Sequence, residues 1–169
     1  MARAIHTETT IDAPPATVWE VLADTGAYDG WNPFIRRLRG ELRAGARLRV
    51  RLEPPGGRAM TFRPRVLRAE PGRELRWRGR LLVPGLVDGE HHILLQPLPG
   101  GRTRVVHDEH FRGLLVPAMG GAGARAAAGF RAMNDALRRE AESRVRRERA
   151  APAPPGEGRV AARSRPAAG

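Results

Sequence analysis

The 169-residue chain has no cysteine, no lysine and only one tyrosine. Without cysteine there is neither a disulfide framework nor thiolate chemistry, which fits a reducing compartment. No stretch approaches the roughly 18 successive apolar residues that a membrane-spanning helix needs. The first residues, MARAIHTETTIDAPP, lack the apolar core of a secretory signal. A cytoplasmic location is therefore the expectation.

With lysine absent, every basic side chain is arginine, and the formal net charge is +12. From Arg146 onward six arginines and two glutamates contribute +4, leaving +8 for the first 145 residues. Most of those arginines alternate with apolar residues, as on the solvated face of a sheet, rather than forming a patch for phosphates. Specific nucleic-acid binding is not expected.

Apolar spacing divides the chain. Ile5, Thr7, Thr9 and Ile11 alternate with His6, Glu8, Thr10 and Asp12, predicting a first strand. Pro14-Pro15 then opens a short helix over about 15–24, with Val18, Trp19, Val21 and Leu22 on its apolar face. A brief helical turn and a bend follow through Tyr28-Asp29-Gly30-Trp31-Asn32-Pro33-Phe34, because Pro33 disfavours helix at Asn32. From Ile35 the period is two. Leu48, Val50 and Leu52 form one apolar row, Phe62, Pro64 and Val66 a second, and Leu75, Trp77, Gly79 and Leu81 a third, each interleaved with arginines. Pro54-Pro55-Gly56-Gly57, Pro71-Gly72 and Pro99-Gly100-Gly101 read as turns.

Beyond Gly121 the period becomes helical. Ala126, Phe130, Met133, Leu137, Ala141 and Val145 recur at spacings of three and four, predicting one amphipathic helix over 123–149. Its stripe needs cover, and the inner face of the sheet is the available partner. Residues 150–169 are rich in Pro, Ala, Gly and Arg, with Val160 the single large aliphatic side chain. They bury too little to offset their ordering entropy and are expected to be disordered. The predicted fold class is α+β: a curved antiparallel sheet of about six or seven strands around a long C-terminal helix, one domain over 1–149.

The order of elements resembles the SRPBCC superfamily, the helix-grip group that includes START lipid-transfer domains, plant pathogenesis-related allergens and aromatic polyketide cyclases. The resemblance is carried by Ile11-Asp12-Ala13-Pro14-Pro15, by Val18-Trp19-Glu20-Val21-Leu22-Ala23-Asp24 and by 28–34. Gly89-Glu90-His91-His92, the run His107-Asp108-Glu109-His110-Phe111 and the segment 130–137 are similar to the stand-alone bacterial branch. It covers roughly residues 3–145 and implies a pocket between sheet and helix for a small hydrophobic, aromatic or amphipathic molecule; no cofactor is expected.

The hairpin of strands near 90–98 and 102–112 has a register that its three-residue loop dictates. Leu98 falls opposite Arg102, Leu95 opposite Val105, Ile93 opposite His107, and His91 opposite Glu109. Gln96 with Arg104, His92 with Asp108, and Glu90 with His110 fall on the other face as complementary cross-strand pairs. The odd-numbered face is the more apolar, so His91, His107 and Glu109 are expected to point inward. Three readings stay open for them: a structural pair fixing register, a polar anchor for a guest in an apolar pocket, or acid–base catalysis on an acidic C–H of a polyketone. A metal site is not expected, since His91 and His92 point to opposite faces.

Trp31, Phe34, Phe62, Trp77, Ile93, Phe111, Phe130, Met133 and Leu137 are the apolar candidates for a pocket lining, although an aromatic on an inward face is more often plain core. Gly79, mid-strand, marks either room for a guest or a bulge. Asn134, beside the helical stripe, is a candidate hydrogen-bonding partner. The apolar loops 83–87 and 114–119, and the glycines Gly120, Gly121 and Gly123, suit a pocket mouth with a hinge. With the basic tail, the loops would equally suit docking to a membrane surface or a partner. Nothing else in the sequence speaks to oligomeric state.

Overall fold

The computed structural model describes residues 2–81, 87–114 and 121–151. In chain order the elements are β1 (Ala2–Ile11), α1 (Pro15–Ala23), α2 (Tyr28–Trp31), β2 (Ile35–Arg39), β3 (Arg49–Leu52), β4 (Met60–Phe62), β5 (Arg65–Glu70), β6 (Glu74–Leu81), β7 (Val87–Leu98), β8 (Arg102–Arg112) and α3 (Ala122–Ala150). No helix among the described residues is long and apolar enough to cross a membrane. The loop segments 83–86 and 115–119, Gly120, and residues 152–169 of the tail lie outside the described residues.

The sheet departs from the sequence expectation in number and continuity. Among the described residues there are eight strands in two antiparallel sheets, one ordered β1-β8-β7-β6-β5 and one ordered β2-β3-β4. Phe62, Pro64 and Val66, read as one strand, belong to two. Proline has no N–H to give a ladder, and pairing lapses at Arg63-Pro64. The pairing nonetheless continues in register: Val50 faces Phe62, Leu48 N–H donates to the Pro64 carbonyl, and Val66 N–H donates to that of Ala46. One bent hairpin thus turns the corner between the sheets. Extra residues in β2 (between Ile35 and Arg37) and in β5 (between Val66 and Arg68) add curvature, as bulges do.

The β7–β8 register is the one the loop length implies, from Leu98 opposite Arg102 to His91 opposite Glu109. The outer face differs in its side-chain partners. Glu90 turns from His110 to Arg76 and Arg78, at 2.6 and 2.7 Å, and Asp108 turns from His92 to His6 at 2.6 Å. For Glu90 the gain is that guanidinium groups offer a carboxylate stronger, charge-assisted bonds than an imidazole does.

Between α2 and β2 the Asn32 side-chain oxygen accepts from the N–H groups of Phe34 and Ile35, at 3.0 and 2.8 Å. This fixes the bend that Pro33 imposes. The α3 helix, about 43 Å long at 1.5 Å per residue, buries Phe130, Met133, Leu137, Ala141 and Val145 against β1, α1 and the sheet interior. Its Gly129 lies directly under the ring of Phe34, which stands edge-on to Phe130 with centroids 5.4 Å apart.

Any side chain at 129 would overlap the Phe34 ring. An alanine there gains roughly 1 kcal/mol of helix propensity, while displacing a packed ring costs about 1–3 kcal/mol. Gly129→Ala is therefore expected to leave the urea midpoint unchanged or to lower it. A clear rise in midpoint would show that the ring does not rest on the helix.

Candidate functional site

Successive rows of side chains cross the inner face of the five-stranded sheet. Ile5, Glu109, His91 and Trp77 form one row over β1, β8, β7 and β6. Thr7, His107, Ile93 and Leu75 form the next on one side. Phe111, Gly89 and Gly79 form the row on the other. His91 and His107 are thus diagonal neighbours, close enough for rings to meet. Trp77 stacks on His91 and Phe130 on His107, each with centroids 4.2 Å apart, sealing both imidazoles from water.

Hydrogen-bond partners assign every proton in this row. The Thr7 hydroxyl donates to the His107 carbonyl at 3.1 Å, so its oxygen accepts from Asn134 Nδ2 at 3.0 Å. The amide oxygen of Asn134 must then face His107 Nδ1, at 2.8 Å, and that nitrogen carries a proton. Burial, reinforced by nearby His91, holds His107 well below the ordinary imidazole range, so the ring is neutral and Nε2 is bare. His107 Nε2 accepts from His91 Nε2–H at 3.0 Å. Burial, with His92 adding to it, pushes His91 down to about 3, which leaves its Nδ1 bare as well. Glu109 Oε2 lies 3.0 Å from that nitrogen and has to be the donor.

Glu109 is therefore a protonated acid. Burial raises it to about 8, with His110 opposing that shift and Glu90 adding to it. The outcome is a relay, Glu109–His91–His107–Asn134–Thr7, joining three strands to α3 with the Glu109 proton at its cavity end. Transfer from Glu109 to His91 would create an ion pair without changing the proton count.

The relay borders a cavity of about 380 Å³ between the two sheets and the first turns of α3. Phe34, Phe62, Trp77, Phe111 and Phe130 supply its aromatic wall. Gly79, His91 and Glu109 also line it. The remaining sequence candidates do not reach it. Trp31 packs on Tyr28 at 5.1 Å, and Ile93, Met133 and Leu137 are core. His107 and Asn134 stand behind His91, where the diagonal step from Glu109 through His91 carries them away from the cavity. Gly79 is not a bulge; a Cβ there would meet the Phe62 ring at 2.9 Å, so its missing side chain is what admits that aromatic.

Sequence reasoning missed several wall residues. Ile35, Val50 and Leu52 come from the three-stranded sheet, which period-two reading did not separate from the larger one. Gly89 sits opposite Phe111 and against the Glu109 carboxyl, so that any side chain there would overlap it. Extending the hairpin register by one more pair would have found that position. Arg58, Arg80, Arg125 and Ala126 also line the cavity. Their alternation with apolar or small residues looks like any solvated face.

The protonation pattern makes stability depend on pH. Between pH 4.5 and about 8, Glu109 keeps a proton in the folded chain that it has lost in the unfolded one, so stability falls as pH rises. Buried neutral His91 and His107 work the other way below pH 6.5, where the unfolded chain takes up protons that the folded one refuses; together they outweigh Glu109 there, so stability rises with pH. The site thus favours folding most near pH 6.5. In Glu109→Gln the amide donates to His91 Nδ1 as the acid does and cannot ionise. Urea midpoints across this range are expected to show wild type losing ground to the variant as pH rises toward 8. Parallel profiles would mean Glu109 is not a buried acid.

A family model described as "Polyketide cyclase / dehydrase and lipid transport" matches residues 2–142. No curated protein matches the chain. Among solved structures, the Zhui aromatase/cyclase from Streptomyces sp. R1128 is similar at 23% identity and a TM-score of 0.72, covering 86% of this chain and 96% of that one. The di-domain aromatase/cyclase StfQ from the steffimycin biosynthetic pathway gives 16% identity and a TM-score of 0.68, over 86% of this chain and 52% of that one. A norcoclaurine synthase point mutant from Thalictrum flavum, in complex with a transition-state analogue, gives 13% and 0.67 over 86% and 97%. At these identities the likeness is one of fold.

Proposed function

Given that the chain belongs to the polyketide cyclase/dehydrase and lipid-transport family, we propose that it holds a small hydrophobic or amphipathic molecule in the cavity beside α3. The observation that carries this reading is an apolar space whose deep wall offers one placed polar group, the neutral carboxyl of Glu109, backed by the buried relay. Aromatic walls supply affinity through burial, and one fixed polar contact supplies orientation. A protonated acid costs less to keep in such a wall than a carboxylate, because no unpaired charge is buried.

This reading is tested by filling the space. Ala126, on α3 at the cavity wall, is to be replaced by tryptophan. Native mass spectrometry of wild-type protein purified from its own host is expected to show an adduct of lipid or aromatic size. Ala126→Trp, checked for an unchanged far-ultraviolet spectrum, is expected to lose it. An adduct retained at full occupancy in the variant would place the guest elsewhere.

A second reading is acid–base chemistry of the cyclase/dehydratase kind, and the protonated carboxyl that Glu109 presents to the cavity favours it. Glu109, rather than His107, is the group that would meet a guest. Its proton would go to a guest oxygen that gains charge, and the carboxylate left behind, still beside His91, would take a proton from an acidic C–H of the same guest. Under this reading Glu109→Gln binds a trial poly-β-ketone as well as wild type but turns it over at least 100-fold more slowly, the loss typical of a general acid or base. Equal turnover by the two proteins would leave only the binding role.

A further inference from the structure

The polar groups around the cavity differ sharply in sign. Glu109 is the one carboxyl on its described wall, and only 12% of its side chain is exposed. Three arginines share that wall, Arg58 from the turn before β4, Arg80 from β6 and Arg125 from the first turn of α3, and all three are exposed. They therefore mark the side open to solvent. Arg80 has a carboxylate neighbour, Asp88, at 3.7 Å. Among the described residues Arg58 and Arg125 form no ion pair. Two close approaches set Arg125: its Nε lies 3.5 Å from where a Cβ of Gly57 would stand, and a terminal nitrogen lies 3.2 Å from the same point at Gly121. The Arg125 side chain thus lies beside the turn that carries Arg58.

We propose that the cavity takes an organic anion: a molecule with an apolar body seated against the aromatic wall and a charged group held at the mouth by Arg58 and Arg125. This rests on the reading of the cavity as a binding site and adds the class of ligand. The orientation follows from desolvation. An anion pushed to the deep wall would lose its water and meet stacked rings, at heavy cost. At the mouth it keeps solvent on one side and gains planar guanidinium donors, which match a carboxylate bidentately. The deep end is left for a neutral acceptor such as a carbonyl or ether oxygen, which can face Glu109.

Two matched pairs of probes test this, dodecanoate against 1-dodecanol and 2-naphthoate against 2-naphthylmethanol. Each is titrated at pH 7 into the full chain by displacement of a fluorescent apolar dye. The acid of at least one pair is expected to bind about tenfold more tightly than its alcohol, the scale of two partly exposed ion pairs. The pair that binds tells whether the body is aliphatic or aromatic. In Arg58→Ala combined with Arg125→Ala the two members should bind equally, at the affinity of the alcohol, and high salt should narrow the gap in wild type. Equal binding of acid and alcohol by wild type would overturn the anion while leaving the cavity reading intact. So would a preference that survives in the double variant. If no probe of either pair binds, both readings fall together.

Discussion

The hydrogen bond between His107 and Asn134 is the contact on which the rest of the interior depends. It ties α3 to β8 at a point where both are fully buried, and it settles which nitrogen of His107 carries a proton. Everything toward the cavity then follows by alternation of donor and acceptor, ending at a carboxyl that must keep its proton. Satisfied throughout, such a chain is tolerated in an apolar interior and specifies one arrangement; broken anywhere, it leaves a buried polar atom unpaired. The Thr7 hydroxyl, bonded to the His107 carbonyl, anchors the far end to the backbone itself.

The space beside that chain is kept by residues that give way to one another. Gly79 and Gly89 face each other across β6 and β7, and the room they leave is taken by the Phe62 ring and the Glu109 carboxyl. Gly129 lets Phe34 lie on the helix. The bend at Pro64 carries β4 into the second sheet, so that the Phe62 ring meets β6 from across the cavity wall. Curvature, glycine and aromatic size act together to keep a void that close packing would otherwise close.

Much of the architecture was legible from residue spacing. The alternation on β1, the three-residue loop between β7 and β8 and the stripe on α3 each obey one local geometric rule, and such rules survive translation into three dimensions. The same hairpin register placed His91 beside Glu109 and turned both inward. The errors arose where two elements distant in sequence compete for a partner. Glu90 and Asp108 had suitable mates across the hairpin, yet β6 and β1 offered better ones. Phe62 and Val66 looked continuous because the pairing is continuous; only the change of sheet at Pro64 separates them.

The sequence alone determined the class of fold, the inward orientation of His91, His107 and Glu109, and the apolar stripe that closes over them, because each depends on periodicity within one element or one tight turn. Tertiary structure decided which of those polar groups meets the cavity and which stands behind, and where Glu109 keeps its proton. It also brought Arg58 and Arg125 to one mouth from segments far apart in the chain. Those outcomes depend on how far α3 and the second sheet approach the first, and that distance is set by side chains from separate elements packing against one another.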